Sequence, residues 1–147
     1  MLSSLEPLGR RAATFAAARL RRLSGNAIYE VMQEQFVETY LGVHTTDAER
    51  VEIAFSGGNL QIRYLDWQEQ PRELLMPQTL AFRWQDDEDG SAPRDDTTYE
   101  VTGSTWLKTQ LERSALSDDG RFRHYKLCFN ACGTLDVICH AIEVDRG

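Results

Sequence analysis

The chain has 147 residues, of which 41% are hydrophobic, and its formal net charge is −7. At about 100 to 200 residues per domain, this length predicts one soluble domain with a real core and excludes disorder of the whole chain. Nucleic-acid binding requires clustered Lys and Arg, so the acidic balance predicts no nucleic-acid partner. No apolar run reaches the ~18 to 20 residues of a membrane-spanning helix, which excludes an integral membrane protein.

Residues 1–25 form a basic amphipathic segment. Five arginines and one glutamate precede Ser24, so this part carries +4 and the rest of the chain carries −11. At about 100° per residue, Leu5, Leu8 and Phe15 share one face of a helix and the arginines occupy the opposite face. The arginines that we expect to face a partner are Arg10, Arg11, Arg21 and Arg22.

Three hypotheses fit this segment. It docks on the domain as a first helix, it makes a peripheral contact with an anionic membrane or an acidic protein, or it is an organelle transit peptide, for which an Arg-rich, acid-poor helix is typical. We expect a cytoplasmic protein in the first two cases and an organelle-matrix protein in the third. The three cysteines follow no secretory signal, so reduced thiols are expected.

Residues 26–147 are predicted to form a single α+β domain. Its first pattern is helical and ends at Gly42, although the β-branched and aromatic residues in it also suit a strand. The apolar positions of this pattern are Ile28, Val31, Met32, Phe36 and Tyr40.

A β hairpin is predicted around Gly57-Gly58. Both central residues of a two-residue type I′ turn need positive φ, which glycine adopts without a steric penalty. Alternation of apolar and polar residues on both sides of the turn fixes the register. The predicted pairs are Ser56 with Asn59, Phe55 with Leu60, Ile53 with Ile62 and Val51 with Tyr64.

Further strands are predicted downstream. Leu80, Phe82 and Trp84 alternate as a short strand, and the acidic stretch 85–98 is expected to be a mobile loop. Residues 99–111 alternate over a length that favours one long strand, although Leu107 and Leu111 have the spacing of a helix.

The last hairpin joins residues 122–130 to residues 134–144. A three-residue connection, Ala131 to Gly133, places Asn130 opposite Thr134. One face of this hairpin is then apolar, and the other face mixes charged and apolar residues. The apolar face contains Tyr125, Leu127, Phe129, Leu135, Val137, Cys139 and Ala141.

These elements predict an α+β fold in which N-terminal helices pack on a curved, mostly antiparallel β meander of about six strands. The fold analogies are a cystatin-like sheet curved around a helix and a calycin-like half-barrel.

The last hairpin contains the candidate metal and catalytic residues. The predicted register brings His124 opposite His140, with Cys128 nearby, and zinc accepts such ligands. Cys128, His124 and Asp136 also resemble a nucleophile, a base and an acid, although any hairpin with these residues would offer that arrangement. Because no Cys-x-x-Cys pair or phosphate-binding loop is present, we expect no cofactor and assign the cysteines to the core.

The three tryptophans are the remaining candidates for a binding surface. Trp67, Trp84 and Trp106 each combine a large apolar area with one polar group, and Trp106 falls on the polar side of its predicted strand. The leading functional hypothesis is therefore a non-enzymatic module that binds a protein partner. The alternative is a binder of a small apolar ligand inside the curved sheet, and the third is a small enzyme or zinc-binding domain.

Overall fold

The computed structural model describes residues 33–86 and 90–145, which form nine β strands and one short helix. No helix among these residues is long and apolar enough to cross a membrane. In chain order the elements are β1 (Gln35–Glu38), β2 (Glu49–Ser56), β3 (Asn59–Leu65), β4 (Pro71–Met76), β5 (Ala81–Gln85), β6 (Thr98–Thr102), α1 (Thr105–Arg113), β7 (Arg123–Phe129), β8 (Gly133–Cys139) and β9 (Glu143–Asp145).

The strands form two antiparallel sheets. The five-stranded sheet has the order β1-β6-β7-β8-β5, and the four-stranded sheet has the order β2-β3-β4-β9. Their inner faces share one hydrophobic core, and the two layers meet in aromatic contacts such as Tyr64 against Phe129. The largest buried side chains of the core include Leu60, Ile62, Leu74, Met76, Leu127, Phe129, Leu135 and Val137.

This architecture corrects the predicted fold class. The described chain is mostly β rather than α+β, and neither sheet is closed or curled, so the cystatin-like and calycin-like analogies are wrong. The predicted last strand, residues 134–144, is wrong in its length, because β8 ends at Cys139 and β9 belongs to the other sheet. Strand β4 was not predicted, because Pro71 concealed it. Proline is tolerated as the first residue of a strand, and here it pairs with Leu65 of β3. Further along β4, residues 73–75 pair with both β3 and β9.

One segment that was predicted as a helix contains a strand, and part of one segment that was predicted as a strand is a helix. The described part of the second helical pattern forms β1, which pairs with β6, and residues 28–32 lie outside the described residues. The predicted long strand ends at Thr102, where Gly103 turns the chain with a φ of 67° and Ser104 caps helix α1. Leu111 belongs to this helix and is buried. The four-residue spacing of Leu107 and Leu111 therefore indicated the helix correctly.

Both predicted hairpins exist. The predicted β2–β3 register is confirmed for three pairs, namely Ser56 with Asn59, Phe55 with Leu60 and Ile53 with Ile62. The predicted pair of Val51 with Tyr64 does not form, because a bulge between Glu49 and Glu52 interrupts the register.

In the β7–β8 hairpin the predicted inner face is confirmed except for Ala141, which is exposed beyond the end of β8. The register differs from the prediction by two residues, because Phe129 pairs with Gly133. Gly133 is thus the first residue of β8 and not the last residue of the loop. It packs tightly against β5, because a side chain at this position would collide with the Gln85 carbonyl and the Trp84 ring.

Candidate functional site

The predicted site residues occupy separate places in the fold. Arg10, Arg11, Arg21 and Arg22 lie outside the described residues, and their role stays a prediction. Trp84 packs against Phe129 and donates its indole N–H to Asp86, with an Nε1 to Oδ1 distance of 2.7 Å. Trp106 lies on helix α1 rather than on a strand. Of the three tryptophans, Trp67 is the most exposed, with 55% of its surface in solvent.

The predicted zinc ligands are not brought together. His124 pairs across the hairpin with Ile138, and Cys128 pairs with Thr134. His140 stacks on Phe122 with ring centroids 4.5 Å apart. Among the described residues, no three His, Cys, Asp or Glu side chains are close enough to hold a metal ion.

A buried polar network lies instead between helix α1 and the outer face of the five-stranded sheet. Its centre is Asp136 on β8, which is 1% exposed. Asp136 Oδ1 lies 2.7 Å from His124 Nε2, and its Oδ2 lies 3.0 Å from Lys126 Nζ and 3.5 Å from Arg83 Nε. His124 Nδ1 in turn lies 2.7 Å from the hydroxyl of Ser104. The network therefore joins β5, β7, β8 and the start of the helix.

Aromatic contacts enclose this network. The Trp106 ring meets the His124 ring edge to face at 5.0 Å, and the Arg83 guanidinium lies 4.0 Å from the centre of the Trp106 ring. A desolvated cation over an indole face is an attractive contact. Trp106 thus packs over the charged residues, so most of its apolar surface serves the contact between helix and sheet.

The charges around Asp136 fix its ionisation. Burial by itself would raise the pKa of Asp136, but the Lys126 ammonium, the hydrogen bond and charge of His124, and the Arg83 guanidinium outweigh burial and lower that pKa. With an ionised Asp136, the Nε2–H group of His124 donates to the carboxylate. The other ring nitrogen, Nδ1, is hydrogen-bonded to the Ser104 hydroxyl.

Ser104, His124 and Asp136 therefore have the connectivity of a nucleophile, a base and an acid, and a cleft of about 350 Å³ borders Ser104 and His124. Two features favour a structural role. Ser104 Oγ accepts the Leu107 backbone N–H at 3.0 Å as the cap of helix α1. Lys126 and Arg83 contact the same carboxylate, at 3.0 and 3.5 Å from Oδ2, so Asp136 is the shared centre of a buried ion-pair network and does not serve His124 alone.

The most prominent exposed site is the turn between β3 and β4, residues 66–70, which presents Trp67. Asp66 starts the turn and is 5% exposed. Its Oδ1 accepts the backbone N–H groups of Gln68 and Gln70 at 2.9 and 2.8 Å, and its Oδ2 lies 2.9 Å from Arg72 Nε. A short Asx turn of this kind holds the backbone in one conformation. The backbone that carries the Trp67 side chain is therefore held in place by Asp66.

Electrostatics reinforce this turn. Burial acts to raise the pKa of Asp66, but the hydrogen bonds from Gln70, Arg72 and Gln68 outweigh burial and lower it. Asp66 is consequently ionised at neutral pH and keeps all three bonds.

A groove of about 560 Å³ begins beside the turn and runs over the outer face of the four-stranded sheet. One end of the groove is formed by Gln70, the last residue of the turn, and by Leu65 and Pro71, which flank the turn. Its charged lining residues are of both signs, namely Arg50, Arg63, Arg72, Glu52, Glu73 and Asp145. Arg63 pairs with Glu73 at 3.4 Å, and both side chains are accessible to solvent. We call Trp67 together with this groove the Trp67 surface.

Comparison with protein-family models, curated proteins and solved structures finds no significant match. Sequence reasoning missed Asp66, Ser104 and Arg83. An Asp immediately before Trp67, at the end of an alternating run, is a local turn signal that identifies Asp66. The Gly-Ser pair before a helical spacing identifies Ser104 as a cap. No local signal connects Arg83 to β8.

Proposed function

We propose that this protein is a non-enzymatic protein-interaction module and that the Trp67 surface is its contact site. The observation that carries the proposal is a half-exposed tryptophan on a turn whose backbone is fixed by Asp66. Tryptophan and arginine are the residues that most often dominate binding energy at protein interfaces. A fixed turn also lowers the entropy lost when a partner binds.

The groove supports the same proposal. Its arginine and carboxylate side chains offer charged hydrogen bonds of both signs, and the groove ends at Leu65 and Gln70 of the chain segment that carries Trp67. Apolar anchors surrounded by a polar rim are typical of protein interfaces. We therefore infer a folded or extended protein partner that supplies a pocket for the indole and charged groups of both signs.

The other two hypotheses have weaker support. A site for an apolar ligand depended on a cup-shaped sheet, which the described residues do not form, and Tyr64 and Tyr125 pack in the core. The hypothesis of a small enzyme or zinc-binding domain depended on the C-terminal His/Cys hairpin, where His124 and Cys128 pair with Ile138 and Thr134 instead of with other candidate residues. Ser104, which contacts His124, serves as the cap of helix α1. The N-terminal arginines remain a second proposed contact for an acidic partner.

The test is quantitative affinity capture with the full chain, comparing wild type, W67A and Y40A. Tyr40 is the matched control, because it is 70% exposed and lines a different cleft, together with Arg94 and Asp96. We expect one or more proteins to be retained by wild type and Y40A and lost with W67A. A purified partner should bind W67A ~30-fold or more weakly, the effect of a tryptophan hot spot. Equal retention by all three proteins would contradict the proposal.

A further inference from the structure

The second strand leaves an open sheet edge. Among the described strands, β2 pairs only with β3, and it lies at the end of the four-stranded sheet. An edge strand presents backbone N–H and C=O groups that another extended segment can bond. β2 has eight residues, which makes it the longest edge strand among the described elements.

The hairpin register shows which backbone groups face outward. In a two-residue hairpin the residues that flank the turn, here Ser56 and Asn59, form a hydrogen-bonded pair. Such pairs alternate with non-hydrogen-bonded pairs along antiparallel strands. Ile53 and Phe55 therefore direct their N–H and C=O groups away from β3. Their side chains point to the inner side of the sheet, and the Ala54 side chain is exposed on the outer side.

Only the first half of β2 is protected against pairing. Glu49 and Arg50 are charged, and a bulge with a φ of 56° at Arg50 disrupts the strand there. Bulges and charges are the usual devices that block edge pairing. The second half, Glu52–Ser56, contains one charge and no proline.

The other three edges are shorter or carry charges within them. β1 ends in Glu38, β5 contains Arg83, and β9 has three residues of which two are acidic. Phe55 on β2 is 50% exposed and stacks on Phe82 of β5 at 5.3 Å, so apolar surface accompanies the open backbone edge.

We propose that a second copy of this chain pairs with the second half of β2, in antiparallel orientation about a two-fold axis at Ala54. In this register Ile53 lies opposite the partner's Phe55, and the two residues exchange the outward backbone hydrogen bonds. Ala54 lies opposite the partner's Ala54, and Glu52 lies opposite the partner's Ser56.

The sequence of β2 supports a second copy as the occupant. The register uses the whole unprotected half, joins apolar side chains on the inner side and places no like charges opposite each other. A two-fold contact also uses the same surface twice, which is the commonest arrangement of homodimers. The contact is smaller than the ~800 Å² per partner of stable complexes, so we expect a reversible dimer with a dissociation constant on the order of tens of micromolar.

This inference does not depend on the Trp67 surface. The groove of the Trp67 surface and the proposed contact share Glu52. Trp67 itself lies in the turn that follows β3, whereas the contact lies near the Gly57-Gly58 turn that precedes β3. W67A should therefore leave the dimer unchanged, and failure of one proposal is distinguishable from failure of the other.

The decisive experiment is sedimentation equilibrium of the full chain with two lysine variants, A54K and S56K. Both replaced side chains are exposed, so neither change should affect the fold, and urea unfolding checks this. A54K places two ammonium groups opposite each other and should weaken dimerisation ~10-fold or more. S56K places a lysine opposite the partner's Glu52 and should strengthen dimerisation at low salt.

The opposite signs make the register testable. A wild-type chain that stays monomeric at several hundred micromolar would overturn the proposal, and so would variants that both weaken or both strengthen the dimer. Oxidative cross-linking gives an independent measurement, because A54C should form a disulfide-linked dimer and E52C should not. Equal cross-linking of A54C and E52C would also overturn the register.

Discussion

Replacement of Asp136 by asparagine should destabilise the protein strongly. D136N keeps the shape of the side chain but removes the carboxylate that His124, Lys126 and Arg83 contact at a buried position. Removing one partner of a buried ion pair costs about 3 to 5 kcal/mol, because the opposite charge stays buried without its counter-charge. That loss is a large fraction of the ~5 to 15 kcal/mol that stabilises a typical domain.

Urea unfolding followed by tryptophan fluorescence measures this loss. With a slope of about 2 kcal/mol per molar urea, the midpoint of D136N should fall by about 2 M. D119N is the matched control, because Asp119 makes a 2.9 Å pair with Arg121 on the surface. Exposed pairs contribute little, so D119N should unfold at the wild-type midpoint. A D136N midpoint close to that of D119N would refute the structural role of the network.

The pH dependence of unfolding gives a second test of D136N. The neighbouring cations lower the pKa of Asp136 in the folded state. Its contribution to stability is therefore complete above the unfolded pKa of about 4 and is lost as the pH falls towards the lower folded pKa. The advantage of wild type over D136N should shrink only below about pH 4. Disappearance of that advantage between pH 7 and pH 5 would contradict the assignment of this pH dependence to Asp136.

Three further outcomes are expected. G133A should lose about 1 to 3 kcal/mol in thermal unfolding because a Cβ at Gly133 has no room, whereas G90A, in open space, should not. Burial raises the pKa of Cys139 to about 12, so at pH 8 a thiol reagent should modify the partly exposed Cys132 in the folded protein and Cys139 only after unfolding. S104A should cost about 0.5 to 2 kcal/mol as a lost helix cap. Wild type should not react with a fluorophosphonate probe, and labelling that S104A abolishes would contradict the structural assignment of Ser104.

The parts of the fold that could be predicted from the sequence are those that depend on residues close together in the chain. The β2–β3 hairpin was predicted correctly from its turn back to Ile53, because Gly57-Gly58 and the alternation beside it are both local signals. The β7–β8 hairpin was placed on the correct face but two residues out of register. Its loop position depends on the packing of Gly133 against Trp84, which is remote in sequence.

The candidate site was less accessible to sequence reasoning. The two-residue error in register paired His124 with His140 and concealed its hydrogen bond to Asp136. Arg83 reaches the same carboxylate from β5, and sequence spacing does not encode a contact of this range. The exposure of Trp67 likewise depends on the path of the turn, because residue type alone does not distinguish an exposed tryptophan from a buried one.

The strand order has a consequence for synthesis on the ribosome. β1 pairs with β6, β5 with β8 and β4 with β9, so each sheet includes pairings between strands that are far apart in the chain. Pairings of this range form slowly. As the chain emerges from the N-terminal end, the hairpin of β2 and β3 can form early, but β5 has to wait for β8. The four-stranded sheet stays incomplete until Asp145 has been made. The inner faces of both sheets are apolar, so the nascent protein exposes future core surface until β8 and β9 have been made, and exposed apolar surface of this kind promotes aggregation.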